Sequence, residues 1–168
     1  MAAKAKKQEK TLEDLLLETL KDMYSAEKQI LRGLQKMSKA ANAEELREAF
    51  ETHAEETEAQ IERIEQAFES MDKPARAKTC EAVKGLIAEA NEVAKEFKGS
   101  DALDAGLISA AQAVEHYEIS RYGTLKTWAG QLGMKDAARL FEETLAEEKK
   151  TDALLTKLAE SSANRKAA

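Results

Sequence analysis

The sequence predicts an all-α protein: a four-helix bundle with one additional, shorter helix in the long crossover between bundle helices 2 and 3. Its 168 residues are 43% apolar and 35% charged, and only one of them is a proline. Alanine, glutamate, lysine and leucine dominate, and all four are strong helix formers. Apolar residues recur at spacings of three and four over long segments, which is the period of an amphipathic helix. The length suits one domain with a continuous core.

The first two helices are long and share a short connection. Thr11 and Asp14 have the spacing of a capping box, which indicates that the first helix begins beside them. Asn42 is the predicted N-cap of the second helix. Pro74 lacks the amide hydrogen that a helix interior needs, so the second helix ends before it. We expect these helices over about residues 12–40 and 43–71.

One shorter and two long helices follow. Apolar residues at helical spacing between Val83 and Phe97 predict the shorter helix. The glycine-containing segments 99–101 and 130–133 separate it and the two long helices from one another. We expect these three helices over about residues 76–97, 102–129 and 136–161.

The lengths of the connections predict the topology. Short connections at 41–42 and 130–133 can join antiparallel neighbours, whereas a long connection with its own helix lies between them. Two antiparallel pairs joined by one long crossover form a ferritin-like bundle, whereas an up-down-up-down bundle would have three short loops. We therefore expect a ferritin-like bundle over residues 11–160, a disordered basic tail at 1–10 and a disordered tail at 161–168.

Composition and charge exclude several classes of function. No apolar run approaches the ~20 residues that span a bilayer, so no membrane association is expected. The net charge is −6, and basic residues are not concentrated outside the N-terminal tail, so no nucleic-acid partner is expected. The N-terminal segment lacks the apolar core of a signal peptide, and the lone Cys80 cannot form an internal disulfide. These features predict a cytoplasmic protein.

Carboxylates interrupt the apolar stripes of all four long helices. Three or four residues separate the polar members within a helix, so their side chains project together from one face. The interruptions are Glu27 in the first helix, His53 and Glu56 in the second, Glu115 and Glu118 in the fourth, and Glu148 and Asp152 in the fifth.

Such an acidic interior points to bound cations. A buried, ionised carboxylate without a partner costs several kcal/mol or more. One histidine cannot neutralise six converging carboxylates, but two divalent metal ions with shared carboxylate ligands would neutralise most of that charge. Oxygen-rich sites with few nitrogen ligands suit iron or manganese. The seven residues therefore predict a site for two iron or manganese ions.

The same residues also have interpretations without metal. A glutamate on a stripe can reach solvent from the stripe's edge. The Glu115–Glu118 pair can form ion pairs with neighbouring basic residues, and Asp152 can pair with Lys149 at the surface. His53 can be a hydrogen-bonded core histidine.

Three further residues lie near the predicted ligands. Tyr122 is one helical turn after Glu118, so we expect a core aromatic side chain that is able to hydrogen-bond a ligand. His116 is expected at the surface or behind the ligands. Glu147 fits either a solvent-facing position or the site.

Four short segments resemble the bacterial YciE/YciF-type ferritin-like family. They occur in the family's order and the resemblance covers about residues 11–159. The segments are 22–29 (DMYSAEKQ), 53–60 (HAEETEAQ), 113–118 (AVEHYE) and 147–152 (EEKKTD). The resemblance implies a ferritin-like bundle, usually dimeric, that is associated with bacterial stress responses and carries a two-metal site.

The sequence departs from ferritin-like di-iron proteins, which carry Glu-x-x-His on the second and fourth bundle helices. In the second helix the order is reversed, with His53 before Glu56. In the last helix Glu148 is followed by Thr151, and Asp152 is the substitute ligand. The ligand atoms of one metal ion would then be almost all oxygen. The roles expected are terminal or bridging ligands for Glu56 and Glu148, bridging or capping ligands for Glu27 and Glu115, and the nitrogen ligand for His53.

Two functions remain open from the sequence. The first is a di-metal carboxylate protein, with a homodimer as its assembly, that meets iron, oxygen or peroxide during stress and is a candidate oxidoreductase. The second is a metal-free structural or interaction protein of the stress response that acts as a dimer, with an acidic centre that is protonated or hydrated. A ferritin-type storage cage is a third option, and it requires a large symmetric assembly.

Overall fold

The computed structural model describes residues 9–168, and every regular element in that range is helical. The elements in chain order are α1 (Leu12–Ala40), α2 (Glu44–Ser70), α3 (Glu81–Glu96), α4 (Leu103–Gln131), α5 (Lys135–Leu158), a π-helical turn (Ala159–Ala163) and α6 (Asn164–Ala167). The all-α class and the order of the five predicted helices are confirmed. Within the same range, no helix combines the length and the apolarity required to cross a bilayer.

The four long helices form an all-helical bundle in which neighbours run antiparallel. α1 packs against α2 and α4, and α5 packs against the same two helices. In the α4–α5 pair, Gln112 contacts Asp152 and Lys126 contacts Glu142, so residue numbers rise on one helix as they fall on the other. α2 and α5 show the same order in the contacts Gln60–Glu147 and His53–Thr151, and α1 and α4 show it in Glu27–Tyr122 and in the contact of Asn42, just after α1, with Asp104. The short connection between α1 and α2 also reverses the chain. The inner faces of the four helices therefore meet along one axis.

A single apolar core fills most of that axis. Its largest fully buried side chains are Tyr122, Phe50, Phe68, Phe141, Leu16, Leu20, Met23, Leu34 and Ile64. Burial of apolar surface stabilises the fold by about 25 cal/mol per Å². A group of buried polar residues interrupts this core near the middle of the helices.

The crossover between α2 and α4 lies along one side of the bundle, where α3 packs on α1 and α4. Residues 73–80 are not helical, although the sequence predicts a helix from residue 76. The amide of Lys78 donates to the carbonyl of Lys21, which ties this extended segment to α1 before α3 begins. Phe97, predicted to lie on the buried stripe of α3, follows the last helical residue and is 41% exposed.

The N-terminus of α2 is capped from another helix. The sequence predicts Asn42 as the N-cap, but that position is occupied by Ala43, whose side chain makes no cap. Instead the Asp104 carboxylate in α4 accepts from the backbone amides of Asn42, at 2.7 Å, and Ala43, at 2.9 Å. The capping box of Thr11 and Asp14 at α1 is present as predicted.

The two predicted tails differ in how far the structure describes them. Residues 1–8, most of the predicted basic tail, lie outside the described residues, and Glu9 and Lys10 are exposed without regular structure. Residues 161–168 are predicted to be a disordered tail, but the helical conformation continues to Ala167. Ala163 is buried in this extension, which packs on α4, so contact with the bundle accounts for the difference.

Candidate metal centre

Four acidic or imidazole side chains converge in the middle of the bundle. His53 comes from α2, Glu115 and Glu118 from α4, and Glu148 from α5. Each offers one ligand atom, and these four atoms all lie within 4.8 Å of one another. All four residues are at most 2% exposed. This buried cluster could hold a metal ion.

His53 lies at the centre of the short distances. Its Nε2 atom is 3.1 Å from Glu115 Oε1 and 3.5 Å from Glu148 Oε2, yet it makes no aligned hydrogen bond. Its Nδ1 atom is 3.4 Å from both Glu56 Oε2 and Thr151 Oγ1. A proton on Nδ1 directed at Glu56 would leave Nε2 free to coordinate an ion, as is common for histidine ligands.

The centre is short of hydrogen-bond donors. Among the described residues, every buried side-chain nitrogen or oxygen atom without a hydrogen-bond partner lies in or beside this cluster. Native proteins leave few buried polar atoms unpaired, and each one left costs about 1–3 kcal/mol. The atoms are Glu27 Oε2, His53 Nε2, Gln60 Oε1, Glu115 Oε2, Glu148 Oε2 and both carboxylate oxygens of Glu118.

The protonation equilibria reflect this crowding. Burial, reinforced by the charges of neighbouring glutamates, raises the pKa of Glu118 well above its ordinary value. Burial also raises the pKa of Glu148 strongly, although the charge of His53 opposes the change. Burial disfavours protonated His53, but the carboxylates of Glu115 and Glu56 outweigh it and raise the pKa of the imidazole. Without a cation, the cluster retains protons that isolated carboxylates would release.

Glu27 in α1 faces the same centre. It is fully buried and accepts a hydrogen bond from the hydroxyl of Tyr122, which is also fully buried. Burial raises the pKa of Glu27 to about 7, although Tyr122 and His53 act in the opposite direction. The structure therefore brings Glu27, His53, Glu115, Glu118 and Glu148 together, and it shows the hydrogen bond from Tyr122 that the sequence suggests.

Two predicted ligands lie elsewhere. Glu56 stands on the outer side of His53, where Lys150 Nζ is 3.5 Å from its Oε1 atom. Asp152 is not brought to the cluster, since its Oδ1 atom is 3.0 Å from Gln112 Nε2 and 3.2 Å from His116 Nε2. Thr151, one residue earlier, occupies the buried face instead.

Gln60 and Arg63 are further residues of the site, which the sequence pattern does not predict as ligands. The fully buried Gln60 amide donates to Glu148 and, at 3.0 Å, to Glu147. Arg63 holds Glu147 through two hydrogen bonds of 2.6 Å each. Arg63 and Glu147 therefore fix the Gln60 amide, which in turn orients Glu148. The position of Gln60 at helical spacing after His53 and Glu56 could have identified it from the sequence. No sequence feature distinguishes Arg63.

Known proteins resemble the chain over nearly its full length. Protein YciF of Escherichia coli (strain K12) is 53% identical over 160 residues, which cover 94% of this chain and 96% of YciF. The crystal structure of the E. coli stress protein YciF matches with a TM-score of 0.89 at 51% identity, covering 93% of this chain and 99% of that chain. YcfI from Rhodopseudomonas palustris, described as a candidate structural protein, matches with a TM-score of 0.86 at 44% identity, covering 90% and 96%.

These similarities confirm the resemblance to YciF-type proteins that the four sequence segments indicate. A family model described as "Domain of unknown function (DUF892)" matches residues 11–168. The chain therefore belongs to the DUF892 family.

Proposed function

We propose that the protein is a ferritin-like di-metal carboxylate protein of the bacterial stress response, with iron or manganese bound inside the bundle. The unpartnered polar atoms of the buried cluster carry this proposal. Two divalent cations would give these atoms ligands and would neutralise the carboxylates. The antiparallel pairing of neighbouring helices and the long crossover support the ferritin-like arrangement.

The residues present fit such a centre. His53 would supply the nitrogen ligand, and Glu27, Glu115, Glu118 and Glu148 would supply carboxylate ligands to the ions. Glu56 would orient His53 through Nδ1 rather than coordinate, and Gln60 would orient Glu148. When bound, iron or manganese would supply redox chemistry toward oxygen or peroxide. Residues of this chain would bind the ions, exclude water and hold a proton between Tyr122 and Glu27.

The experiment is a titration of chelator-treated protein with Mn²⁺, in which free Mn²⁺ is followed by electron paramagnetic resonance. We expect two ions per chain. Glu118→Gln keeps the shape and removes one charge, so it should lose at least one ion. Glu58→Gln, an exposed position on α2, is the matched control and should bind like the parent protein. Binding of less than about half an ion per chain by the parent protein contradicts the proposal.

A metal-free structural protein that acts as a dimer is the second candidate, because YcfI is described as a candidate structural protein. In that case Glu27→Ala with Glu115→Ala should leave the thermal stability unchanged or raise it, since buried charge repulsion is relieved. A metal protein should instead lose bound metal and the stability that metal confers.

The homodimer is a further part of the proposal, inferred from the family resemblance. Sedimentation velocity should give a particle of twice the 18.5 kDa chain mass. A much larger particle would favour the storage cage instead.

A further inference from the structure

Two cavities reach the buried cluster from different sides of the bundle, and they differ in chemistry. One, of about 300 Å³, is a groove between α2 and α5 that ends at His53 and Glu56. The other, of about 20 Å³, lies among α1, α3 and α4 and ends at Glu115. The two cavities are therefore the candidate approaches to the centre.

The cavity at Glu115 does not suit ions. Apart from Glu115 and Asn91, its wall is apolar, with Ile30, Leu34 and Val114 among the lining residues. Its volume admits about one water molecule. A divalent ion that entered here would lose its hydration without replacement ligands, which is prohibitive.

The groove between α2 and α5 is larger and carries charged residues, although Ala49, Leu154 and Leu158 also line it. Six waters of a hydrated divalent ion occupy about 180 Å³, at ~30 Å³ each, so the ion fits with its water. Glu45 and Glu48 line the outer part and Glu56 the inner part, on one face of α2. Beyond Glu56 the imidazole of His53 is 2% exposed, and its Nε2 atom has no hydrogen-bond partner.

From this arrangement, which rests on the proposed function, we infer that the groove is the entry route for divalent cations. Glu45 and Glu48 attract the hydrated ion, and Glu56 receives it before it passes His53. The ammonium group of Lys150, 3.5 Å from Glu56 Oε1, competes with the ion for that carboxylate and slows entry. Acidic clefts raise the local concentration and the association rate of cations by such electrostatic attraction.

The test measures the rate of metal loading separately from its extent. Chelator-treated protein is mixed with Co²⁺ in a stopped-flow instrument, and a weak fluorescent chelator reports the free ion. The double variant Glu45→Gln/Glu48→Gln should load about three- to tenfold more slowly at low ionic strength, with the difference largely lost at about 0.5 M salt. Its final Co²⁺ content should equal that of the parent protein.

Matched controls separate the groove from general charge. Glu89→Gln/Glu92→Gln removes two exposed charges at the same spacing on α3, which packs on α1 and α4, and it should load at the parent rate. Lys150→Gln should load about two- to threefold faster. Lys149→Gln, an exposed neighbour outside the groove, should not load faster.

The outcomes distinguish the inference from the proposed function. Glu45→Gln/Glu48→Gln and Lys150→Gln could each bind Co²⁺ at the rate of their controls, with the same final Co²⁺ content in all variants. That result would contradict the entry route but not the metal centre. If the parent protein binds no Co²⁺, the proposed function fails and the route fails with it.

Discussion

The hydrogen bond between Tyr122 and Glu27 places a polar pair where neither side chain can reach water. Tyr122→Phe removes only the hydroxyl that donates to Glu27 and leaves the buried Glu27 carboxylate without this hydrogen bond. We expect the metal-free protein to lose about 1–3 kcal/mol of unfolding free energy at pH 8, as measured by urea denaturation.

Tyr24→Phe is the control for this prediction, because the Tyr24 hydroxyl also donates to a glutamate, Glu65, which is exposed. Water can replace that donor, so the cost should stay below about 1 kcal/mol. Equal losses in the two variants would mean that burial of the Glu27 carboxylate has no energetic consequence.

The raised pKa values predict how the stability of the metal-free protein depends on pH. Burial raises the pKa of Glu27 from its ordinary 4.5 to about 7, and it raises those of Glu118 and Glu148 in the same direction. The folded protein therefore binds protons more tightly than the unfolded chain does. This stabilisation is complete below the ordinary pKa and is lost as the pH rises through about 7. For Glu27 alone it corresponds to roughly 3 kcal/mol.

We therefore expect the urea midpoint of chelator-treated protein to fall between about pH 5.5 and about pH 8.5. The lowered pKa of Glu56, caused mainly by its hydrogen bond with His53, acts below this range. Glu27→Gln cannot ionise and should flatten the profile. Saturating Mn²⁺ should reverse the trend, because the ions compete with protons for the same oxygens. A midpoint that rises with pH without metal would contradict the account.

Sequence spacing found most of the cluster but placed two outer residues, Glu56 and Asp152, among the ligands. Glu27, His53, Glu115 and Glu118 interrupt otherwise apolar stripes, and the structure buries all of them. Beyond Glu148, positions three and four residues later are both compatible with the stripe. The buried face of α5 follows Thr151, so Asp152 faces Gln112 and His116. A choice between adjacent positions depends on how neighbouring helices pack, which spacing alone does not encode.

Among the helices, α2 depends on α4 for its N-terminal cap. Asp104→Ala removes the acceptor of two backbone amides and should cost about 1–2 kcal/mol of unfolding free energy. Asp104→Asn keeps one acceptor oxygen and should cost less. Asp101→Ala, an exposed position before α4, is the control and should change stability little. Chemical denaturation measures all three, and equal stability of the Asp104→Ala and Asp101→Ala variants would contradict the capping role.

Two glycines inside helices should respond differently to alanine. A Cβ atom at Gly85 in α3 would contact nothing within 4 Å, so Gly85→Ala should stabilise by about 0.5–1 kcal/mol through helix propensity. At Gly106 in α4 the added Cβ would lie 2.6 Å from Val93 Cγ1, and valine side chains have little rotamer freedom in a helix.

Gly106→Ala should therefore give no gain, or a loss, in unfolding free energy. In a Val93→Ala background the same substitution should recover the gain seen at Gly85, because the clashing methyl group is absent. Thermal denaturation of the single and double variants measures this coupling. Equal gains at the two glycines in the parent protein would show that α3 and α4 are not packed closely at Gly106.

The sequence predicts which segments are helical better than it predicts where each helix begins and ends. Helix-forming residues at helical spacing, with glycine- or proline-containing segments between them, identify all five helices. The start of α3 depends on where the crossover reaches α1 at Lys21, and the cap of α2 depends on Asp104, which is distant in sequence. Both are tertiary contacts, so local sequence signals do not determine them.

At the scale of the whole molecule, a helical scaffold surrounds a cluster of buried polar atoms that have no hydrogen-bond partner. Apolar side chains on four helices hold the bundle together, and they place five polar residues at one level: Glu27, His53, Glu115, Glu118 and Glu148. The family membership accounts for the fold, while the chemistry of these residues accounts for the proposed activity.

An anomalous-scattering map of the protein, crystallised after growth in iron- and manganese-replete medium and purified without chelator, tests the central claim most directly. If the proposed metal centre is present, the map should show strong peaks within the bundle, bounded by His53, Glu148 and Glu27, at the absorption edge of iron or manganese. A map without peaks at the centre, in which the same carboxylates hydrogen-bond one another as protonated pairs, would contradict it.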